Sequence, residues 1–165
     1  MNNVTSPEEI KSVAEAAGEQ SAELRENGGE VLLFCVDEAV YGVGIQYVTE
    51  IIGIQPITVV PKVPYYIKGV INIRGKVVPV INVRHKINKE EIPYDDKTCI
   101  IVIDVNEITV GLIVDRVREV VPIKANEICE TSEYKSVNQN NYIESIIDSG
   151  GEIKQLLNIH KLIAD

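Results

Sequence analysis

The sequence predicts an all-β protein built as two small barrels, and three observations carry that prediction. Beyond Gly29, Ile and Val supply more than a quarter of the residues, a composition suited to pleated, buried surfaces. Turn residues arrive every eight to twelve positions, the rhythm of short strands in a sandwich or barrel. The chain also repeats itself. YGVGIQYVTEII (41–52) lies over VGLIVDRVREVV (110–121) at an offset of 69, matching Gly42 with Gly111, Val48 with Val117 and Glu50 with Glu119. NVRHKI (82–87) lies over NIHKLI (158–163) at an offset of 76, so the second half carries an insertion, placed in the Asn-rich loop at 136–141.

In chain order, residues 1–29 form an acidic tail and 30–165 a domain, with a first barrel at about 30–87 and a second at about 97–165. The tail resembles a frayed or partner-dependent helix from Pro7 to Glu26, with Ser6 and Glu9 spaced as a capping box and Gly28-Gly29 ending it. Strands are predicted near 30–36, 40–45, 57–60, 67–73, 76–82, 98–105, 108–114, 118–124, 142–147 and 153–158. Short helices are predicted at 46–52, 83–87 and 159–164. Five strands in each half can close on themselves, which hides their edges, and a groove is expected between the halves. The fourth and fifth strands form a hairpin whose turn, Arg74-Gly75, admits positive φ; a buried arginine is costly, so Arg74 is expected at the rim.

Composition excludes several functions. The net charge of −9 argues against a nucleic-acid partner, because phosphate binding needs a basic patch. Much of that charge comes from the tail, where residues 1–30 hold seven glutamates against one lysine and one arginine. The amino terminus lacks the basic start and apolar run of a secretory signal, and no apolar run is long enough to cross a membrane, which makes the cytoplasm the expected location. Cys35, Cys99 and Cys129 are odd in number and far apart, without the spacing of a zinc site or a disulfide framework. Cys35 and Cys99 lie in apolar runs and read as core.

No catalytic constellation emerges, and no cofactor or metal is expected. His85 and His160 each follow a strand and suit surface or packing roles. Asp115, Arg116, Arg118 and Glu119 read as a solvated strand face with cross-strand ion pairs. The glycines at 42–44 lack a third partner for a phosphate loop, and Pro61 to Pro64 reads as a stiff connection. Recognition of proteins is the remaining class of function.

The segments YGVGIQYVTEIIG, VPYYIKGVINIRGKVVPVINVRHKI, CIIVIDVNEITVGLIVDRVREVV and LLNIHKLI together resemble the CheW-type coupling proteins of bacterial chemotaxis over about residues 30–164. The segment from Ile67 to Val83 is the most specific part. The resemblance implies two five-stranded SH3-like barrels and no enzymatic activity. It also implies two partners, the cytoplasmic tip of methyl-accepting chemoreceptors and the regulatory domain of the histidine kinase CheA, at receptor arrays on the membrane and without insertion into it.

By the same resemblance, Arg74 matches an arginine beside the receptor-facing groove and Glu50 a glutamate able to pair with it. Gly69 and Gly75 match family glycines, for which turn formation alone is sufficient reason. Val48 and its repeat partner Val117 stand on the receptor face, with a core role for either equally open. Cys99 stands where the family has a β-branched residue near the groove. The acidic tail is longer than the family needs, and His160 replaces a residue that is often acidic. An enzyme or ligand-binding barrel would instead have to use Asp115, Glu119 and His85, brought together in a pocket.

Overall fold

The computed structural model describes residues 26–130 and 142–164. Eleven strands and two short helices follow in the order β1 (Gly29–Val36), β2 (Ala39–Gly44), β3 (Val48–Gly53), β4 (Ile67–Ile73), β5 (Lys76–Asn82), α1 (Val83–Lys86), β6 (Cys99–Val105), β7 (Ile108–Val114), β8 (Arg116–Ile123), β9 (Ile128–Cys129), β10 (Ile143–Ser149), β11 (Glu152–Leu157) and α2 (Ile159–Ala164). They form two sheets, one in the order β8-β1-β2-β11-β10-β9 and the other β3-β6-β7-β5-β4. The all-β class and the paired SH3-like barrels therefore stand, one sheet having five strands and the other a sixth of two residues, β9.

The division of the barrels along the chain is corrected. Each sheet draws on both halves: β1 and β2 from the first half join β8 to β11, while β6 and β7 from the second half join β3 to β5. The exchange follows from the equivalence of the repeats. The hairpins β1-β2 and β6-β7 have the same register, with Leu33 opposite Gly42 and Val102 opposite Gly111. Either hairpin thus offers the same edge to a parallel neighbour, β11 for β2 and β5 for β7.

Strands β1 and β6 are buried on both faces, which explains why their sequences run apolar without alternation. Val31, Leu33 and Cys35 point into one barrel with Val40, Ile147 and Leu156. Ile100 and Val102 point into the other with Ile71, Val78, Val80 and Ile113. Leu32, Phe34 and Val36 meet Ile101, Ile103 and Val105 in a third cluster between the sheets. The repeat glycines fit this packing: a Cβ on Gly42 would lie 2.5 Å from the Val31 side chain, and one on Gly111 would lie 2.8 Å from Ile100. The second sequence match is equally structural. Asn82 and Asn158 donate their N–H to the carbonyls of Tyr66 and Tyr142, and each side chain caps the short helix that follows.

Other expectations change locally. Residues 46–52 form no helix; Ile45–Tyr47 is a 3-10 turn and β3 starts at Val48, its residues alternating between half-buried and exposed along an edge strand. The strand at 57–60 reduces to a single bridge between Thr58 and Val70. Strand β8 begins at Arg116, two residues earlier than its prediction, and β9 was not anticipated. The helical tail and the Asn-rich insertion lie outside the described residues.

Candidate partner-binding surface

The β4-β5 hairpin turns at Arg74 and Gly75, with φ of 49° and 83°, both in the left-handed region that a two-residue type I′ turn requires. Asn72 supports the turn, its Oδ1 accepting the Gly75 N–H at 2.9 Å. The turn holds Arg74 outward, with 76% of its side chain exposed, and its guanidinium pairs with the Glu50 carboxylate. Glu50 lies on β3 and Arg74 next to β4, the two ends of the five-stranded sheet, so this pair spans the seam where that barrel closes. In the other barrel a pair of reversed charge joins the end strand β8 to the interior strand β11, Arg118 donating to both Glu152 oxygens at 3.1 and 3.0 Å.

Gly69 belongs to the frame of this surface. Its φ is 152°, the β4-β5 register shifts between Ile67 and Gly69, and a Cβ would lie 2.2 Å from the Thr58 carbonyl oxygen. Gly69 is buried and serves a bulge. Gly75 is exposed at the turn, with open space where a side chain would go.

Cys99 and Val117 meet farther along. Cys99 opposes Gly53 in the β3-β6 ladder, whereas Glu50 opposes Val102. The Cys99 thiol is half-buried; burial pushes its pKa up, partly offset by a hydrogen bond with the Val117 backbone. Val48 and Val117 are both partly buried against the central cluster, each at the start of an outermost strand. Each packs on the core with part of its side chain left to solvent. Cys35, by contrast, is wholly inside its barrel.

A polar cluster centres on a residue that sequence reasoning passed over. Arg84 in α1 is only 6% exposed and donates from Nε and Nη2 to the two Asp115 oxygens at 2.9 and 2.6 Å. It also pairs with Asp37 and donates to the Glu90 carbonyl at 3.2 Å. Lys89 adds a second cation to Asp37 at 3.1 Å. These bonds hold the Asp37 carboxyl below its ordinary pKa, Arg84 being the main cause. Asp115 therefore does not belong to a solvated strand face. His85 packs beside Tyr65, with ring centroids 5.9 Å apart, and lies 3.8 Å from Glu91.

Comparison with known proteins assigns the chain to a family. The family model of the CheW-like domain matches residues 30–165. The chain belongs to the CheW-like family. It is 32% identical over 155 residues to a chemotaxis protein CheW of Klebsiella aerogenes, covering 94% of this chain and 90% of that protein. It is also 32% identical to the chemotaxis protein CheW of Bacillus subtilis, over 87% of this chain and 91% of the relative. The crystal structure of the scaffolding protein TtCheW from Thermoanaerobacter tengcongensis superposes with a TM-score of 0.75 at 29% identity, covering 82% of this chain and 92% of that one. The function is that of a chemotaxis coupling scaffold. The match to the Klebsiella CheW-like relative takes in part of the acidic tail as well, since it spans more residues than the domain alone.

Proposed function

We propose that this CheW-like protein joins the cytoplasmic tips of methyl-accepting chemoreceptors to the regulatory domain of the kinase CheA, and that it acts as a non-enzymatic adaptor in the cytoplasm beneath receptor arrays. Among the described residues no helix is long and apolar enough to cross a membrane, which accords with recruitment by protein partners. The observation that carries the reading is the Glu50–Arg74 pair on the seam of the five-stranded barrel. An exposed pair of this kind adds little stability, so its use is better sought in recognition.

In this reading Arg74 and Glu50 offer a directional polar contact to the receptor helix, and Val48, Val117 and Cys99 supply apolar contact near the same face. Gly75 keeps the turn open for close approach, and Gly69 supports the hairpin from behind. The scaffold passes a signal when its binding free energy differs between receptor states, since coupling is that difference. The enzyme reading finds less support: Asp115 is bound by Arg84, and His85 packs on Tyr65.

Binding of the full chain to a receptor cytoplasmic fragment, and separately to the CheA regulatory domain, tests the proposal. Glu50→Arg or Arg74→Glu should weaken receptor binding and leave kinase binding intact. A wild-type chain that binds neither protein would refute the coupling role for those partners.

A further inference from the structure

We infer that Arg84 is a positioning residue for the receptor-facing surface, acting through Asp115 to set the start of β8 and with it Val117. The inference rests on the proposed receptor role of that surface. Asp115 is the single residue between β7 and β8, where the chain leaves one sheet for the other. At that crossover it is bound from three directions. Arg84 grips both carboxylate oxygens, the Asp37 N–H donates to Oδ2 at 2.7 Å, and the Asp115 N–H donates to the Cys35 carbonyl at 3.2 Å. Arg84 also ties in the β1-β2 turn through Asp37 and the loop after α1 through Glu90. The direction in which β8 departs is thereby fixed relative to both barrels. Val117 follows two residues later, packed with Cys99 against the central cluster.

The repeat shows that this arrangement is not a general requirement of the fold. The counterpart of Asp115 at the other crossover, between β2 and β3, is Gln46; those of Asp37 and Arg84 are Asn106 and His160. None of these can form the same charged set. His160 is buried and packs edge-on against Tyr47, with centroids 5.4 Å apart and no partner for its Nε2 among the described residues. Among the described residues the barrels thus join at the β3 crossover without an ion cluster, whereas the β8 crossover has one. A buried ion cluster is a poor source of net stability, but its directional bonds specify geometry. The β8 side of the surface is held in place, and adjustment to a partner falls to the β3 side, where Val48 and Glu50 lie.

The test compares the full wild-type chain with Arg84→Gln, Arg84→Lys and Ile147→Val, the last a barrel-interior change that lowers stability without touching the cluster. Amide NMR signals of Cys99 and Val117 are followed, with affinities for a receptor cytoplasmic fragment and for the CheA regulatory domain, at a temperature where every variant is folded. Arg84→Gln should move the signals at 99 and 117, weaken receptor binding about tenfold and leave kinase binding unchanged. Arg84→Lys, which keeps the charge but not the two-pronged grip, should fall between it and wild type, and Ile147→Val should bind as wild type does. Unmoved signals at 99 and 117, an equal loss of both partners, or a matching loss in Ile147→Val would overturn the inference. If the wild-type chain binds no receptor fragment, the coupling reading fails by itself, and the amide signals alone decide the positioning role.

Discussion

Arg74 and Arg84 both face carboxylates across a strand boundary, yet 76% of one side chain is exposed and only 6% of the other. Arg74 sits on a hairpin turn where water and a partner can reach it. Arg84 lies at a crossover between barrels, where four hydrogen bonds replace the water it has lost. The difference teaches that the same ionic chemistry serves separate ends according to burial. An exposed pair leaves a surface available at little cost to the fold, whereas a buried one dictates where its neighbours must stand.

The sharpest way to break this contrast is Arg84→Met. It leaves Asp115 and Asp37 without their main cation, and because both remain partly solvated the loss should lie near the lower end for broken buried pairs, about 3 kcal/mol by urea unfolding. A loss below about 0.5 kcal/mol would place Arg84 with ordinary surface charges.

The hairpin that presents Arg74 permits a second comparison. Gly69→Ala drives a Cβ against the Thr58 carbonyl oxygen at a left-handed φ and should cost about 2 kcal/mol or more. Gly75→Ala meets only backbone strain and should cost about 1 kcal/mol. Equal losses would mean that Gly69 has no special place beneath the turn.

A smaller effect separates the two crossovers by pH. Burial lowers the His160 pKa below its ordinary 6.5, so the unfolded chain takes up the proton first as pH falls. Stability should therefore decline as pH drops below about 6.5, and His160→Leu should remove that slope. The Asp37 carboxyl behaves in the opposite range: its lowered pKa makes a contribution that is complete above the ordinary 3.8 and lost as pH falls through the folded value. Arg84→Met should shrink this second, more acidic decline to the part that Lys89 sustains. A wild-type pH profile flat between 5 and 7 would contradict the His160 assignment.

The sequence made the strand-rich class, the repeat and the Arg74-Gly75 turn legible because each depends on neighbours along the chain. The match of Gly42 with Gly111 even marked the two places where a barrel interior leaves no room for a side chain. Exchange of strands between the barrels was not legible. Strands β1 and β6 are apolar on both faces, and such a run does not disclose which sheet it enters. Strand β3 looked helical because VTEII places its apolar residues at i, i+3 and i+4, the spacing of a helix face. Arg84 was hidden inside the basic run NVRHK, where burial arises only once Asp37 and Asp115 converge from distant strands. One signal was present: the repeat sets Arg84 over His160 and Asp115 over Gln46, so the charged set is peculiar to one crossover.

The Glu50–Arg74 pair should be the weakest element for stability and the strongest for binding. Either charge reversal should shift unfolding by less than about 0.5 kcal/mol. The most direct measurement is the affinity of the wild-type chain, Glu50→Arg and Arg74→Glu for a chemoreceptor cytoplasmic fragment, each paired with its affinity for the CheA regulatory domain. Wild type should bind both proteins, and each reversal should weaken only the receptor complex. Reversals that bind the receptor as well as wild type does would contradict the assignment of the barrel seam as the receptor-facing site.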